Sequence, residues 1–345
     1  MSCHIPPPEC GATGIGALPH TDPRQACDEV LAIYPEFPYI PTLPNHGLLE
    51  SIVFCDSARL PGGVVRDGRL QIDPGRDISR EMEQIYLDFI ERNTSPYALT
   101  PDYASGFAEM SGRNFSSSKI LKCQVTGPVT FGMQVVDRDR RPLYYDDQFA
   151  DVLTKMIALR ARWCEETMCR FSGVKETIVV LNEPYFASLG STVVPVQQET
   201  VTAGWHDIAG MIEGGLGIHC CSNTDWEYVI SLEPSFLSFD AFSGAREFLL
   251  FMDDLVAFME QGGVIAWGLV PSQVQEFLTV TPGELYRRYS EIRDQVTAFC
   301  PEELFFRQSV ITPTCGIQAG GTALSADIMR AAADLSQKIR GEWTG

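Results

Sequence analysis

At 345 residues the chain is long for one ordinary domain and within the usual range of a single α/β barrel. Its 45% apolar fraction is ample for a sizeable core, and a formal charge of −19 argues against a nucleic-acid or anionic-membrane partner. No apolar run reaches the roughly eighteen residues of a membrane span, Met1-Ser2-Cys3-His4-Ile5-Pro6-Pro7-Pro8 is no signal peptide, and eleven cysteines without framework spacing read as free thiols in a reducing cytoplasm.

Short apolar runs closed by Gly, Pro or polar residues recur along the chain, mostly separated by helix-like stretches. Strands are expected at 12–18, 38–43, 120–126, 177–182, 216–221, 236–240, 264–268 and 308–313, with helical patterns at 22–33, 150–171, 197–212 and 281–299. Strand followed by helix, repeated eight times, is the signature of a (β/α)8 TIM barrel, an α/β fold, here spanning 1–345 as a single domain. A doubly wound open sheet is the main rival; the even spread of eight strands favours closure. The stretch 44–118 is too long for a simple crossover and reads as an insertion after strand two that helps roof the barrel mouth. Within it, 62–72 looks like a hairpin turning at Asp67-Gly68.

His219-Cys220-Cys221 closes the fifth expected strand, and Cys315 follows the eighth in Thr314-Cys315-Gly316. Alternation along a strand points His219 and Cys221 to one face and Cys220 to the other. One imidazole and two thiolates converging on a point is zinc chemistry, and three protein ligands leave room for a fourth weak ligand or a substrate. Ordinary buried cysteines beside a satisfied core histidine would account for any one of these residues. The set, together with Asp240 at the end of strand six, falls at the carboxyl ends of the strands, where barrel enzymes gather their catalytic groups.

Asn182-Glu183-Pro184 ends strand four at the same mouth, where a carboxylate could hold a substrate ammonium group or be a solvated acid at a loop start. Gly14-Ile15-Gly16-Ala17 ends strand one, and its glycines either allow close approach of a ligand or relieve crowding. His20 and His46 are assigned no chemistry, and Cys123, Cys164, Cys169 and Cys220 are expected to be buried structural thiols.

Together the segments Ile15-Gly16-Ala17-Leu18-Pro19, Val125-Thr126-Gly127-Pro128, Asn182-Glu183-Pro184, His219-Cys220-Cys221 and Thr314-Cys315-Gly316 resemble the catalytic C-terminal barrel of cobalamin-independent methionine synthase, within the uroporphyrinogen-decarboxylase-like superfamily. The resemblance implies zinc held by His219, Cys221, Cys315 and an acidic residue that falls on Asp240, where the family usually has Glu. It implies transfer of a methyl group to the thiol of homocysteine, with Gly16, Ala17, Asn182 and Glu183 at the substrate. The chain departs from the family in three ways. Asn182 stands where the family has Asp, no histidine follows His219 to protonate a folate nitrogen, and the family's large N-terminal domain is missing.

These departures carry chemical meaning. Removing methyl from a tertiary amine such as methyltetrahydrofolate leaves a basic nitrogen that needs a general acid, whereas a methylated corrinoid leaves without a proton. The expected donor is therefore methylcobalamin or a methylated corrinoid protein. Transfer to another thiol such as coenzyme M, and a non-catalytic zinc-binding barrel, are the competing readings. Decarboxylation of a tetrapyrrole would want arginines near the first strand, and Arg24 alone precedes Arg59.

Overall fold

A computed structural model describes residues 5–73, 75–137, 139–191 and 194–343. Its strands are β1 (Gly11–Ala12), β2 (Gly63–Arg66), β3 (Arg69–Ile72), β4 (Leu121–Thr126), β5 (Thr177–Asn182), β6 (Gly215–Cys220), β7 (Phe236–Phe239), β8 (Val264–Val270) and β9 (Ser309–Pro313). Seven of these form one parallel sheet in the order β1-β9-β8-β7-β6-β5-β4, while β2 and β3 make an antiparallel hairpin with Arg66 opposite Arg69. The hairpin turns at Asp67-Gly68, as its sequence predicts.

Every residue of β8 and β9 is buried, the pattern of strands covered on both faces by helices. The sheet curls in the manner of a TIM barrel. Residues 38–43 run between its two outer edges: Ile40 N donates to Lys122 O at 2.8 Å, and Thr42 N to Gly16 O at 3.1 Å. These contacts are isolated bridges rather than ladders. The expected strands at 12–18 and 38–43 are thus extended chain with little regular pairing. Pro38, Pro41 and Pro44 lack the N–H a ladder needs, and Gly16 sits at φ +40°, outside the strand region.

The helices Pro23–Ile33, Asp147–Cys169, Gln198–Ala209 and Pro282–Val296 fall on the expected helical stretches. Three of the four start at a side-chain cap, all but Gln198–Ala209; Asp146 accepts from Gln148 N and Phe149 N, both at 3.0 Å, which begins that helix ahead of residue 150. The closing helix Gly321–Glu342 follows the last strand, where the eightfold repeat calls for a helix whose range the sequence pattern did not mark. No helix among the described residues is long and apolar enough to cross a membrane.

The inner face of the sheet divides by polarity. Ile120, Ile178, Val180, Phe236, Val264, Ala266 and Val310 pack with Ile5 and Phe37 toward the amino ends of the strands. Farther along, the same face carries Gln124, Thr126, Asn182, His219 and Ser238. Thr126 pairs with Asn182, Asn182 with His219, and His219 with Ser238. Apolar filling below leaves the polar groups gathered at the carboxyl end.

Candidate metal centre

His219 is the penultimate residue of β6, and Cys221 lies one residue beyond its end. Cys315 follows β9, in a turn tied down by Thr314 N donating to Val270 O at 2.8 Å and Ser272 N to Thr314 Oγ1 at 3.0 Å. This brings residues almost a hundred positions apart together: the ligand atoms of His219, Cys221 and Cys315 all lie within 4.8 Å of one another. Zinc takes nitrogen at about 2.0 Å and sulfur at about 2.3 Å, so ligand atoms across a tetrahedron stand roughly 3.5–3.8 Å apart. Small side-chain rotations would close the remaining distance. Both cysteines are free thiols.

The imidazole is prepared for a metal. Nδ1 lies 2.9 Å from Ser238 Oγ, while Nε2 is buried without a hydrogen-bond partner. With Nδ1 donating to the serine, Nε2 keeps its lone pair toward the two sulfurs. The thiols share what proton they hold. The neighbouring Cys315 thiol, and then His219, draw Cys221 down to about 4, and the same contact with burial pushes Cys315 well up. An orphaned buried nitrogen beside a readily ionised thiol is a donor set that suits zinc.

Asp240 lies outside this three-residue group. Its Oδ1 accepts from Ser243 N at 2.9 Å, capping the helix Ala241–Phe248, and burial raises its carboxyl. A residue at the end of a strand and the start of a helix has its carboxylate claimed by the helix. Cys220 points away as alternation requires, donates to Ser222 O, and burial raises its thiol to about 12. Cys123 and Cys164 are buried too, but Cys169, at the end of its helix, is exposed.

A cavity of about 100 Å³ opens beside the trio, lined among others by Gly16, Ala17, Glu50, Gln124 and Asn182. Gly16 stands where a Cβ would come 3.1 Å from Gln124 Oε1, so its lack of a side chain keeps this wall close. Glu183 is not in the lining. It is 2% exposed, and its carboxylate accepts from Val129 N, Thr130 N and Thr130 Oγ1 at 2.6 to 3.0 Å. It thereby anchors the helix Pro128–Gln134, and burial pushes its carboxyl up to about 7 against those bonds.

Sequence reasoning missed three cavity groups. Glu50, 2% exposed, accepts from Leu43 N through Oε2, while Oε1 makes no hydrogen bond and stands 4.0 Å from His46 Nε2; burial raises its carboxyl, with Ser105 pulling back. Cys55 donates to Asp56 Oδ2 at 3.3 Å. Gln124 binds Asn182 by donating from Nε2 to Oδ1, and its own Oε1 accepts from Lys122 Nζ at 3.3 Å. Lys122 is wholly buried, and burial pushes its ammonium down to about 7. The one available signal was polar alternation at Lys122, Gln124 and Thr126 in the strand expected at 120–126.

No family model and no curated protein matches the chain. Among solved structures, a putative vitamin-B12-independent methionine synthase from Listeria monocytogenes superposes with a TM-score of 0.53 at 13% identity, covering 94% of this chain and 87% of that one. A B12-independent methionine synthase from Shewanella sp. W3-18-1, in complex with selenomethionine, gives 0.45 at 14% identity over 79% and 71%. A GH113 β-mannanase from Alicyclobacillus acidocaldarius gives 0.39 at 12% over 99% and 98%. At such identities the Listeria likeness shows a shared fold and nothing finer, so any chemistry must be argued from the residues themselves.

Proposed function

We propose that the chain is a zinc-dependent methyltransferase that methylates the thiol of homocysteine, in a single eight-staved barrel whose residues 44–118 are inserted after the second stave. The observation that carries this reading is the convergence of His219 Nε2, buried and unpartnered, with the Cys221 and Cys315 thiols beside a cavity.

Zinc, when bound, supplies a dication that favours the thiolate form of an incoming thiol near neutral pH. The chain's own groups do the rest. Cys221 and Cys315 bring anionic sulfur and His219 a neutral nitrogen, so electron density stays on the substrate sulfur. Asp240 stays engaged at its helix cap, so the residues that would hold the metal are His219, Cys221 and Cys315. Glu50 Oε1, which makes no hydrogen bond and stands 4.0 Å from His46 Nε2, accepts the substrate ammonium, while Glu183 supports the wall from behind. The cavity orients the sulfur for in-line attack on the methyl carbon. The S–C bond forms as the methyl–donor bond breaks, its electron pair leaves with the donor, and the thiol proton goes to solvent.

Methylcobalamin or a methylated corrinoid protein is the proposed donor, because a reduced corrinoid leaves without a proton and no histidine follows His219. The test is the metal content of purified protein, followed by methylcobalamin demethylation with and without homocysteine. Ready use of methyltetrahydrofolate with methylcobalamin ignored would overturn the donor, and absence of any thiol methylation would overturn the activity.

A further inference from the structure

We propose that Asn182 determines specificity by presenting an amide N–H donor to the thiol substrate, taking its carboxylate, and that Lys122 and Gln124 are positioning residues that fix this orientation. The inference rests on the thiol-methylation reading and names how the same cavity recognises its substrate.

The direction of the chain of hydrogen bonds follows from its buried end. Lys122 lies on the inner face of β4 with 0% exposure and makes no ion pair among the described residues. Its other close neighbour is the Tyr39 ring, whose centroid lies 5.3 Å from Nζ. Lys122 Nζ donates to Gln124 Oε1 at 3.3 Å, and in its protonated form, held below about pH 7, it can only donate. That leaves Gln124 Nε2 to donate, and it does so to Asn182 Oδ1. With its oxygen engaged, Asn182 has Nδ2 left, which has no hydrogen-bond partner among the described residues. Flipping both amides would set Gln124 Nε2 against the ammonium, donor against donor, in a buried site where such a mismatch is costly.

Asn182 therefore offers the cavity a donor at a position where an aspartate would offer an acceptor. It sits in register with His219 and lines the same cavity as Cys221 and Cys315, within reach of a thiol docked there. When protonated, Lys122 carries a charge with no ion-pair partner among the described residues behind the amide chain, and this favours an anionic group in front of it. Glu50, on another wall, has the complementary acceptor. A thiol bearing both ammonium and carboxylate groups would meet each with its match, and a thiol acid would keep the Asn182 contact alone.

The test measures binding to the zinc-loaded protein by calorimetry, with homocysteine, 4-mercaptobutanoate and 3-aminopropane-1-thiol. Asn182→Asp should weaken the two carboxylate-bearing thiols by about tenfold or more and leave the aminothiol within roughly twofold. Lys122→Met frees Gln124 to turn and should erase most of the preference for 4-mercaptobutanoate over the aminothiol, a ratio that a purely structural role would not move. Unchanged or tighter binding of 4-mercaptobutanoate to Asn182→Asp, or an unchanged ratio in a folded Lys122→Met protein, overturns the assignment. Wild-type protein that binds none of the three thiols overturns the thiol reading itself, and this assignment with it.

Discussion

His219 and Ser238 face each other in register across β6 and β7, with Nδ1 and Oγ 2.9 Å apart. The serine orients the ring so that Nε2, rather than Nδ1, is turned toward the two sulfurs. Outer partners of this kind typically tune metal affinity by about 10–100-fold. Ser238→Ala should lower zinc affinity by that order while leaving the far-UV spectrum unchanged. Competition with a chromophoric chelator measures it, and an affinity equal to wild type would show that the serine does not prepare the ligand.

Cys315 reaches the site from a turn beyond β9, held by hydrogen bonds that do not involve its thiol. Removing the sulfur should therefore empty the centre without unravelling the turn. Cys315→Ser is expected to purify with far less than one equivalent of zinc and to fold as the metal-free protein does. Retention of stoichiometric zinc would mean that the metal, if bound, sits elsewhere.

Glu183 and Glu50 are both nearly fully buried carboxylates, yet they do different work. Glu183 anchors a helix start, so Glu183→Gln, which sets an amide against N–H donors, should destabilise the fold by about 1–3 kcal/mol. Its effect on thiol binding to the folded protein should be small. Glu50→Gln should do the reverse, weakening homocysteine by roughly 10–100-fold and sparing 4-mercaptobutanoate, which has no ammonium. Thermal melts and calorimetry on both variants separate the roles, and equal losses of homocysteine binding would refute the division.

Period-two alternation explains what could be read in advance. It places Asn182 and His219 inward together, and it turns Cys220 away, as found. The same rule, applied one residue further, turns Glu183 to the opposite side from Asn182, which is where its carboxylate lies. Asp240 was legible as the end of a strand, but its engagement as a helix cap depends on Ser243 N, which only the fold presents. Glu50 and Cys55 were out of reach for another reason. They enter the cavity from short turns between residues 44 and 60, where no hydrophobic period fixes direction. The weak pairing at 12–18 and 38–43 reflects prolines and a positive-φ glycine, cues visible in the sequence that a count of strands passes over.

Lys122 gives the most direct pH signature. Its pKa falls from 10.5 in the unfolded chain to about 7 in the fold, because burial disfavours the ammonium. Below pH 7 both states are protonated and the full cost of burying the charge is present. Between about 7 and 10.5 the unfolded chain holds the proton that the folded protein has released, so this group makes stability rise with pH across that window. Lys122→Met removes both the cost and the slope. The variant should be more stable than wild type near neutrality, by an amount on the order of a few kcal/mol, and the gap should narrow toward pH 10. Denaturant unfolding at several pH values tests this; a stability difference that stays constant from pH 7 to 10 would show that the lysine does not titrate in that range.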